Sequence, residues 1–172
     1  MKRIFLYCLI SVCTVVSFAQ NPNTIIKTQA MDMANALIKK DFPAFIKYMH
    51  PNIIKLAGGK EKALQRMDTV NAMAAQFGAT IKRIVIGNPG KIINYKNQLQ
   101  VTLPETSEMT SGFGNVAFET TLIAISTDAG KNWYFIDTSI YNMKDVKKAM
   151  PDLSPELVIP PAKQPKFTPA QQ

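Results

Sequence analysis

Three side chains carry groups that could transfer protons in a catalytic site: His50, Asp137 and Tyr48. His50 is the only histidine in the sequence, and the ordinary pKa of imidazole lies near neutral pH, which suits a general base. The carboxylate of Asp137 is an alternative base, and the phenol of Tyr48 could stabilise a developing oxyanion. A structural role is favoured for His50. It lies between Met49 and Pro51 at a predicted helix end, where its charged form would stabilise the helix C-terminus.

Asp137 ends a segment that alternates like a strand. Because successive strand residues face opposite sides, Trp133, Phe135 and Asp137 share one face. If that face lines an enclosed space, Asp137 is a buried carboxylate; the favoured alternative is an aspartate in solvent at a strand end. Trp133 and Phe135, together with Tyr95 of an earlier predicted strand, are the candidates for contact with an apolar ligand.

Several classes of chemistry lack the residues that they require. Cys8 and Cys13 are the only cysteines, and both fall within the first 19 residues. A single histidine without cysteines does not furnish a typical zinc site, and the sequence contains no Gly-x-Ser-x-Gly motif of serine hydrolases. Residues 112–117 have the letters of a dinucleotide-binding loop, but a predicted strand follows where that motif needs a helix. We expect no metal and no cofactor.

The first 19 residues have the features of a signal peptide. Lys2 and Arg3 precede an apolar run at residues 4–16, and Ser17 and Ala19 supply small side chains before a cleavage site. The run is too short for a comfortable transmembrane span, and no second apolar stretch of about 18 residues follows. The sequence therefore predicts export, to the periplasm or the medium, of a soluble protein without a transmembrane segment.

The charge of the chain favours a solvated basic surface. Removal of Lys2 and Arg3 with the leader lowers the 20 basic residues to 18, against 12 acidic ones, and leaves a net charge of +6. The lysines are spread over the whole sequence, whereas a nucleic-acid-binding protein concentrates them on one face with aromatic residues between. We therefore expect no nucleic-acid partner.

The pattern of apolar residues predicts helices first and strands afterwards, which is an α+β class. Helical spacing marks residues 24–39, with Asn23 as the N-cap, and residues 63–77. Asp41 caps a second, short helix. After Gly78 the period changes to about two. The predicted strands are Thr80 to Ile86, Ile92 to Tyr95, Leu99 to Leu103, Val116 to Ser126 and Trp133 to Thr138.

A last short helix, Met143 to Met150, is predicted with Asn142 as its cap. Beyond it, six of the final 22 residues are proline, which favours an extended tail with little independent structure. We find no internal repeat and no second core. The predicted organisation is a signal peptide at 1–19, one α+β domain at 20–150 and a Pro-rich tail at 151–172.

Residues 126–133 read Ser-Thr-Asp-Ala-Gly-Lys-Asn-Trp and resemble the Asp-box turn that is repeated in sialidase propellers. In such a turn Asp128 accepts hydrogen bonds from the turn, Gly130 adopts a positive φ and Trp133 packs back over the hairpin. A sialidase needs several such blades and about twice this length. A single copy therefore predicts a hairpin and not a glycosidase.

The phrase ALIKKDFPAF at residues 36–45, which continues to His50 and Pro51, is flanked by an amphipathic helix, a further helix and a long-stranded sheet. In this order of elements, residues 24–139 resemble the nuclear transport factor 2-like superfamily. In that superfamily a strongly curved antiparallel sheet wraps around helices and forms a cone with an apolar pocket. The resemblance implies N-terminal helices packed in the concave face of such a sheet.

Function varies widely among proteins of this kind, so the resemblance implies shape more than activity. We expect a non-catalytic exported domain that binds an apolar small ligand in its cone. A protein partner on its sheet face, including a second copy in a homodimer, is also open. The alternative is a cofactor-free isomerase, dehydratase or cyclase that resembles ketosteroid isomerases and SnoaL-like enzymes. Those enzymes place an Asp or His base and a tyrosine donor in the cone, but no residue here matches their motifs one by one.

Overall fold

The structure is a computed structural model that describes residues 21–161 and 163–170. The predicted signal peptide, residues 1–19, lies outside the described residues. The helices are α1 (Pro22–Ile38), α2 (Phe42–Phe45) with a 3-10 turn (Ile46–Tyr48), α3 (Pro51–Leu56), α4 (Lys60–Gln76) and α5 (Met143–Ala149). The strands are β1 (Thr80–Ile86), β2 (Ile93–Tyr95), β3 (Gln98–Ser111), β4 (Gly114–Ser126), β5 (Tyr134–Asp137) and β6 (Lys166–Pro169). The predicted α+β class is confirmed.

The sheet is built around one long hairpin, formed by β3 and β4, and every strand pair is antiparallel. β1 and β2 pair with successive parts of the outer edge of β3, and β5 and β6 pair with successive parts of the outer edge of β4. The result is a curved, unclosed antiparallel sheet with helices against it, as in a cone. The two long strands therefore position every other strand.

Both faces of the hairpin are buried at the end that is far from its turn. The register pairs Val101 with Ala124 and Leu103 with Leu122, so these four apolar side chains share the concave face. They are fully buried in one core with residues of α1, among them Ile26. Burial of each large aliphatic side chain stabilises the fold by about 1.5–3 kcal/mol. The concave face thus holds the helices, as the resemblance implies.

On the opposite face, the segment after α5 packs over β3. The side-chain amide of the fully buried Gln100 donates to the Asp152 carbonyl at 2.6 Å and accepts from the Ser154 amide at 2.8 Å. Leu157 joins the core a few residues later. This segment packs against the sheet, and its last described part forms β6. Sequence reasoning missed this strand, because all four of its side chains are exposed and show no alternation.

Several predicted boundaries differ from the structure, by two residues at the start of α1 and by eight at the end of β3. The N-cap of α1 is Asn21, which accepts from the Asn23 amide at 3.0 Å, because Pro22 is tolerated at the first helical position. β3 continues beyond its predicted end at Leu103 to Ser111. The predicted bounds of β1 and the predicted caps Asp41 and Asn142 are confirmed.

The predicted Asp-box hairpin is confirmed in detail. The Asp128 carboxylate accepts from the Ser126 hydroxyl at 2.8 Å and from the Asn132 amide at 2.9 Å, and these bonds lower its pKa. Gly130 has φ of +87°. The Trp133 indole donates to the Gly130 carbonyl at 3.0 Å, and its side chain is buried. The Gln29 side chain of α1 accepts from the Trp133 amide at 2.8 Å, which joins this turn to the first helix.

We predict that Asp128→Ala lowers the free energy of unfolding by about 1–3 kcal/mol, because the turn loses an acceptor of several hydrogen bonds. Urea unfolding followed by the fluorescence of Trp133, the only tryptophan, measures the change. Thr127→Ala, at an exposed neighbouring position, is the control and should change stability by less than about 0.5 kcal/mol. Equal effects of the two variants would contradict a role for the carboxylate.

Candidate functional site

Two carboxylates lie on the concave face, one on β3 and one on β5, the strands on either side of β4 at this point. Glu105 of β3 is paired with Thr120 of β4, and Asp137 of β5 is paired with Leu122 of β4. Because side chains two residues apart on a strand share a face, Glu105, Thr120 and Asp137 point to the same side of the sheet. We call Glu105, Asp137 and the hydroxyl side chains bonded to them the carboxylate pair.

Hydroxyl and amide donors fix the position of Asp137. Its Oδ1 atom accepts from the Thr120 hydroxyl at 3.1 Å and from both the amide and the hydroxyl of Ser139 at 2.8 Å. The Thr120 hydroxyl also lies 3.3 Å from that of Thr138, which donates to the Thr121 carbonyl. The carboxylate is therefore turned back along the sheet towards Thr120, the residue opposite Glu105.

Glu105 is the most unusual titratable group of the site. Its side chain is only 6% exposed, and burial together with the nearby charge of Asp137 raises its pKa to about 7. The Ser107 hydroxyl donates to its Oε1 atom at 2.9 Å. Within residues 21–161 and 163–170, no other hydrogen bond to this carboxyl is present. Near neutral pH, Glu105 can therefore act as a proton donor or as an acceptor.

A phenol and a guanidinium lie within electrostatic reach of the pair. Burial raises the pKa of the half-buried Tyr141, the positive charge of Arg66 lowers it and the negative charge of Asp137 raises it. Tyr141 follows the end of β5 by four residues, and Arg66 belongs to α4. The loop after β5 and the helix α4 thus approach the same region of the concave face.

Beyond the carboxylate pair, towards the turn of the hairpin, the concave face is apolar again but incompletely covered. Met109, Val116 and Phe118 share this face with Glu105 by their register, and all three are half-buried. In α4, whose whole length is described, Ala63 alone is buried. The exposed side chains of that helix include Val70 and Met73. Met109, Val116 and Phe118 form an outer apolar band that remains half-exposed.

His50 occupies a different environment from the one predicted. It is the N-cap of α3, where its Nδ1 accepts from the Asn52 amide at 3.2 Å. Burial lowers its pKa to about 4, so the ring is neutral near pH 7. The expectation of a charged imidazole at a helix C-terminus is wrong, because the chain enters a new helix at Pro51. The rings of His50 and Tyr134 form a T-shaped pair with their centres 5.7 Å apart, and Tyr134 lies on the face of β5 opposite to Asp137.

The remaining predicted residues are dispersed. Tyr48 is half-buried in the 3-10 turn, and burial and the charge of Asp32 raise its pKa. Tyr95 lies in β2, where the Lys96 ammonium is 5.6 Å from its ring centre. Trp133 and Phe135 are 1% and 2% exposed. The structure therefore brings Asp137 to the candidate site, and it places Trp133 and Phe135 inside the core, where they support the face without offering surface to a ligand.

Glu105 is the residue that sequence reasoning missed. It follows Val101 and Leu103 at strand spacing, so an acidic residue continues an apolar face. This alternation could have indicated a buried carboxylate on the apolar face. The prediction missed it because the predicted strand ended at Leu103.

Comparisons with models of protein families, with curated proteins and with solved structures found no match to this chain. Among residues 21–161 and 163–170, three or more His, Cys, Asp or Glu side chains do not come together in a way that could hold a metal ion. In the same residues, no helix combines the length and the apolar character that crossing a bilayer requires.

We predict that Glu105→Gln changes how stability depends on pH. Because the pKa is raised, the folded state keeps a proton that the unfolded state releases above about pH 4.5. The contribution of Glu105 to the free energy of unfolding is therefore lost as pH rises from 4.5 to 7. Relative to the wild type, the variant should gain about 3 kcal/mol of unfolding free energy over that interval. Urea unfolding at pH 4.5, 6 and 7.5 measures it.

Glu108→Gln is the matched control for this experiment. Glu108 lies on the opposite face of β3, and a hydrogen bond from Arg83 lowers its pKa. Its contribution to stability is therefore lost only as pH falls below about 4.5, and its replacement should leave the profile between pH 4.5 and 7.5 nearly unchanged. The same pH profile in the Glu105→Gln variant and the wild type would show that Glu105 is ordinarily solvated.

We predict that His50→Asn removes a loss of stability at acid pH. The lowered pKa means that the unfolded state takes up a proton below about pH 6.5 while the folded state does not, so stability falls between pH 6.5 and 4. Asparagine keeps an N-cap acceptor but does not titrate. The wild type should lose about 3 kcal/mol relative to the variant over this interval, measured by the same unfolding curves. A constant difference from pH 7 to pH 4 would contradict a buried neutral imidazole.

Proposed function

We propose that the protein is an exported, non-catalytic member of the nuclear transport factor 2-like superfamily. In this proposal it binds a small ligand with an apolar body and one polar group on its concave face. The observation that carries the proposal is the order in which apolar and polar surfaces follow one another along the concave face. A closed apolar core comes first, then the carboxylate pair, and then the half-exposed apolar band of Met109, Val116 and Phe118. The band would cover the ligand's apolar body, and the pair would meet its polar end.

The shape and the order of elements support the superfamily assignment. Helices precede a curved antiparallel sheet that is open on one side, and the phrase at residues 36–45 ends α1 and forms α2 across its end. The leader at residues 1–19 supports export, since its charged start, apolar run and small residues fit a cleavable signal. Export would bring the chain into contact with apolar molecules outside the cytoplasm.

Proton transfer is the second candidate function, and the raised pKa of Glu105 favours it. A carboxyl that titrates near pH 7 can serve as a general acid or base, and Tyr141 could donate a hydrogen bond to developing negative charge. The nearby charge of Asp137 would help to raise the pKa of Glu105. The reaction class is a cofactor-free isomerisation, dehydration or cyclisation.

Ligand binding is tested with the neutral apolar dye Nile red, whose fluorescence rises on entering an apolar site. We predict that Phe118→Ser raises its Kd by about tenfold or more, because one aromatic wall of the band is lost. Val85→Ser on the other face of the sheet and Phe113→Ser at the hairpin turn are matched controls and should bind like the wild type. Equal affinities in all four proteins would contradict a site on the concave face.

The enzymatic alternative is tested by deuterium exchange into enolisable ketones, followed by NMR. If Glu105 is the base, exchange should increase as pH rises through 7 and be lost in Glu105→Gln. Dye binding that depends on Phe118, together with no exchange above the buffer rate, would support the binding function alone.

A further inference from the structure

The C-terminal strand β6 completes the edge of β4 next to the hairpin turn. Lys166–Pro169 pairs with Gly114–Ala117, and the Ala170 amide donates to the Phe113 carbonyl at 3.1 Å. All four side chains of β6 are exposed. Because exposed side chains bury little apolar surface, main-chain hydrogen bonds are the chief attachment of this strand.

The edge of β4 is shaped for a strand that approaches closely. Gly114 has φ of +143°, and a Cβ atom built there would lie 2.3 Å from the Thr168 carbonyl oxygen. A side chain at position 114 would therefore collide with the backbone of β6. The remainder of this edge is occupied by β5, by the bond from the Thr138 amide to the Thr121 carbonyl and by the bond from the Lys163 amide to the Glu119 carbonyl. β6 therefore pairs with the one end of the β4 edge that the other described segments leave open.

Two lysines bind the tail to one acid. Glu119 accepts from the ammonium groups of both Lys163 and Lys166, and these bonds lower its pKa to about 2. The lysine side chains are 70% and 74% exposed. Ion pairs of this kind add little stability, although they select strands of the right charge. The tail is therefore held specifically but weakly, and local opening of β6 requires little loss of packing.

The link between β6 and the core is short and rich in proline. Ile159 still packs against the core, and Lys163 already bonds to β4, because its amide and its ammonium both donate to Glu119. Two of the three residues between them are Pro160 and Pro161. Proline-rich segments favour extended conformations, and three residues span at most about 10 Å. A tail that leaves its own sheet can therefore pair with β4 of another copy only if the two β4 edges lie close together.

Exposed aromatic side chains are concentrated around that same turn. Phe113 is 71% exposed in the turn itself, and Phe167 of β6 is 56% exposed. Phe77, at the end of α4, is 60% exposed, and its carbonyl accepts from the Gly112 amide. Exposed apolar groups of this size that cluster in one region are typical of a contact surface.

We propose that β6 is an exchangeable strand and that two copies of this chain associate by each placing its tail on the β4 edge of the other. The exchanged strand makes the same main-chain bonds and the same pairs with Glu119 as in the single chain. The short linker holds the two β4 edges close together, and the contact between the copies covers Phe77 and Phe113. The occupant is a second copy because Gly114 and Glu119 fit this strand, and each copy supplies it. The proposal does not depend on the ligand-binding function.

The first experiment traps the exchanged strand covalently. Asn115 and Thr168 face each other in the register and are both exposed. In a Cys8→Ser/Cys13→Ser background, protein with Asn115→Cys is mixed with protein with Thr168→Cys and oxidised. A disulfide between the two proteins forms only if the tail of one lies on β4 of the other. Asn115→Cys mixed with Glu156→Cys, an exposed position outside β6, is the matched control.

We expect a disulfide-linked heterodimer in the first mixture, at least fivefold more abundant than in the control mixture. The double variant Asn115→Cys/Thr168→Cys establishes whether the two positions are competent to react. If the double variant cross-links within one chain and the mixture yields no dimer, the tail stays with its own sheet and the proposal fails. Failure of the double variant to cross-link at all, or equal yields in the two mixtures, overturns it as well.

A charge-exchange pair gives an independent test. Glu119→Lys repels its own tail, and Lys163→Glu/Lys166→Glu is repelled by its own β4. Only when the two variants exchange tails does each tail meet a residue of opposite charge at position 119 of the other β4. We expect each variant alone to elute as a monomer in size-exclusion chromatography at low salt and their mixture to elute as a dimer. A mixture that elutes as two monomers contradicts the proposal.

Discussion

The register of β3 against β4 is the constraint on which the rest of the structure depends. It runs from Leu99 opposite Ser126 to Ser111 opposite Gly114 without a shift. A slip by one residue would turn Leu103 out of the core and turn Pro104 in, so the apolar face specifies the pairing strongly. The same register fixes Glu105 opposite Thr120. The apolar face of the hairpin and the position of Glu105 are therefore determined by a single set of main-chain hydrogen bonds.

The concave face changes character along the hairpin, and this change links stability to function. Near the helices, burial of aliphatic side chains stabilises the fold, whereas at Glu105 burial opposes ionisation and leaves a carboxyl that titrates near neutral pH. His50 is buried as well, but its pKa moves downward, so the two groups affect stability in opposite directions between about pH 4.5 and 6.5. Burial thus favours the uncharged form of both groups, one in the candidate site and one at a helix start.

Local features of the chain were predictable where neighbours in sequence create them. The caps Asp41 and Asn142 and the Asp-box turn at residues 126–133 depend on side chains that bond within a few residues of themselves. By contrast, β6 has no pattern of its own and exists because an edge of β4 is available. The role of His50 was mistaken for a similar reason: the helix that follows it is short, and its burial depends on distant segments.

The sequence by itself determined the α+β order, the caps Asp41 and Asn142, the presence of β3 and β4 and the absence of thiols beyond residue 13, because periodicity, turn chemistry and composition act locally or require no geometry. Tertiary structure alone decided that Glu105 and Asp137 share a face, that Trp133 and Phe135 lie in the core and that the tail joins the sheet. Each of these outcomes depends on contacts between residues far apart in the chain, and their strength comes from burial, which a single segment cannot reveal.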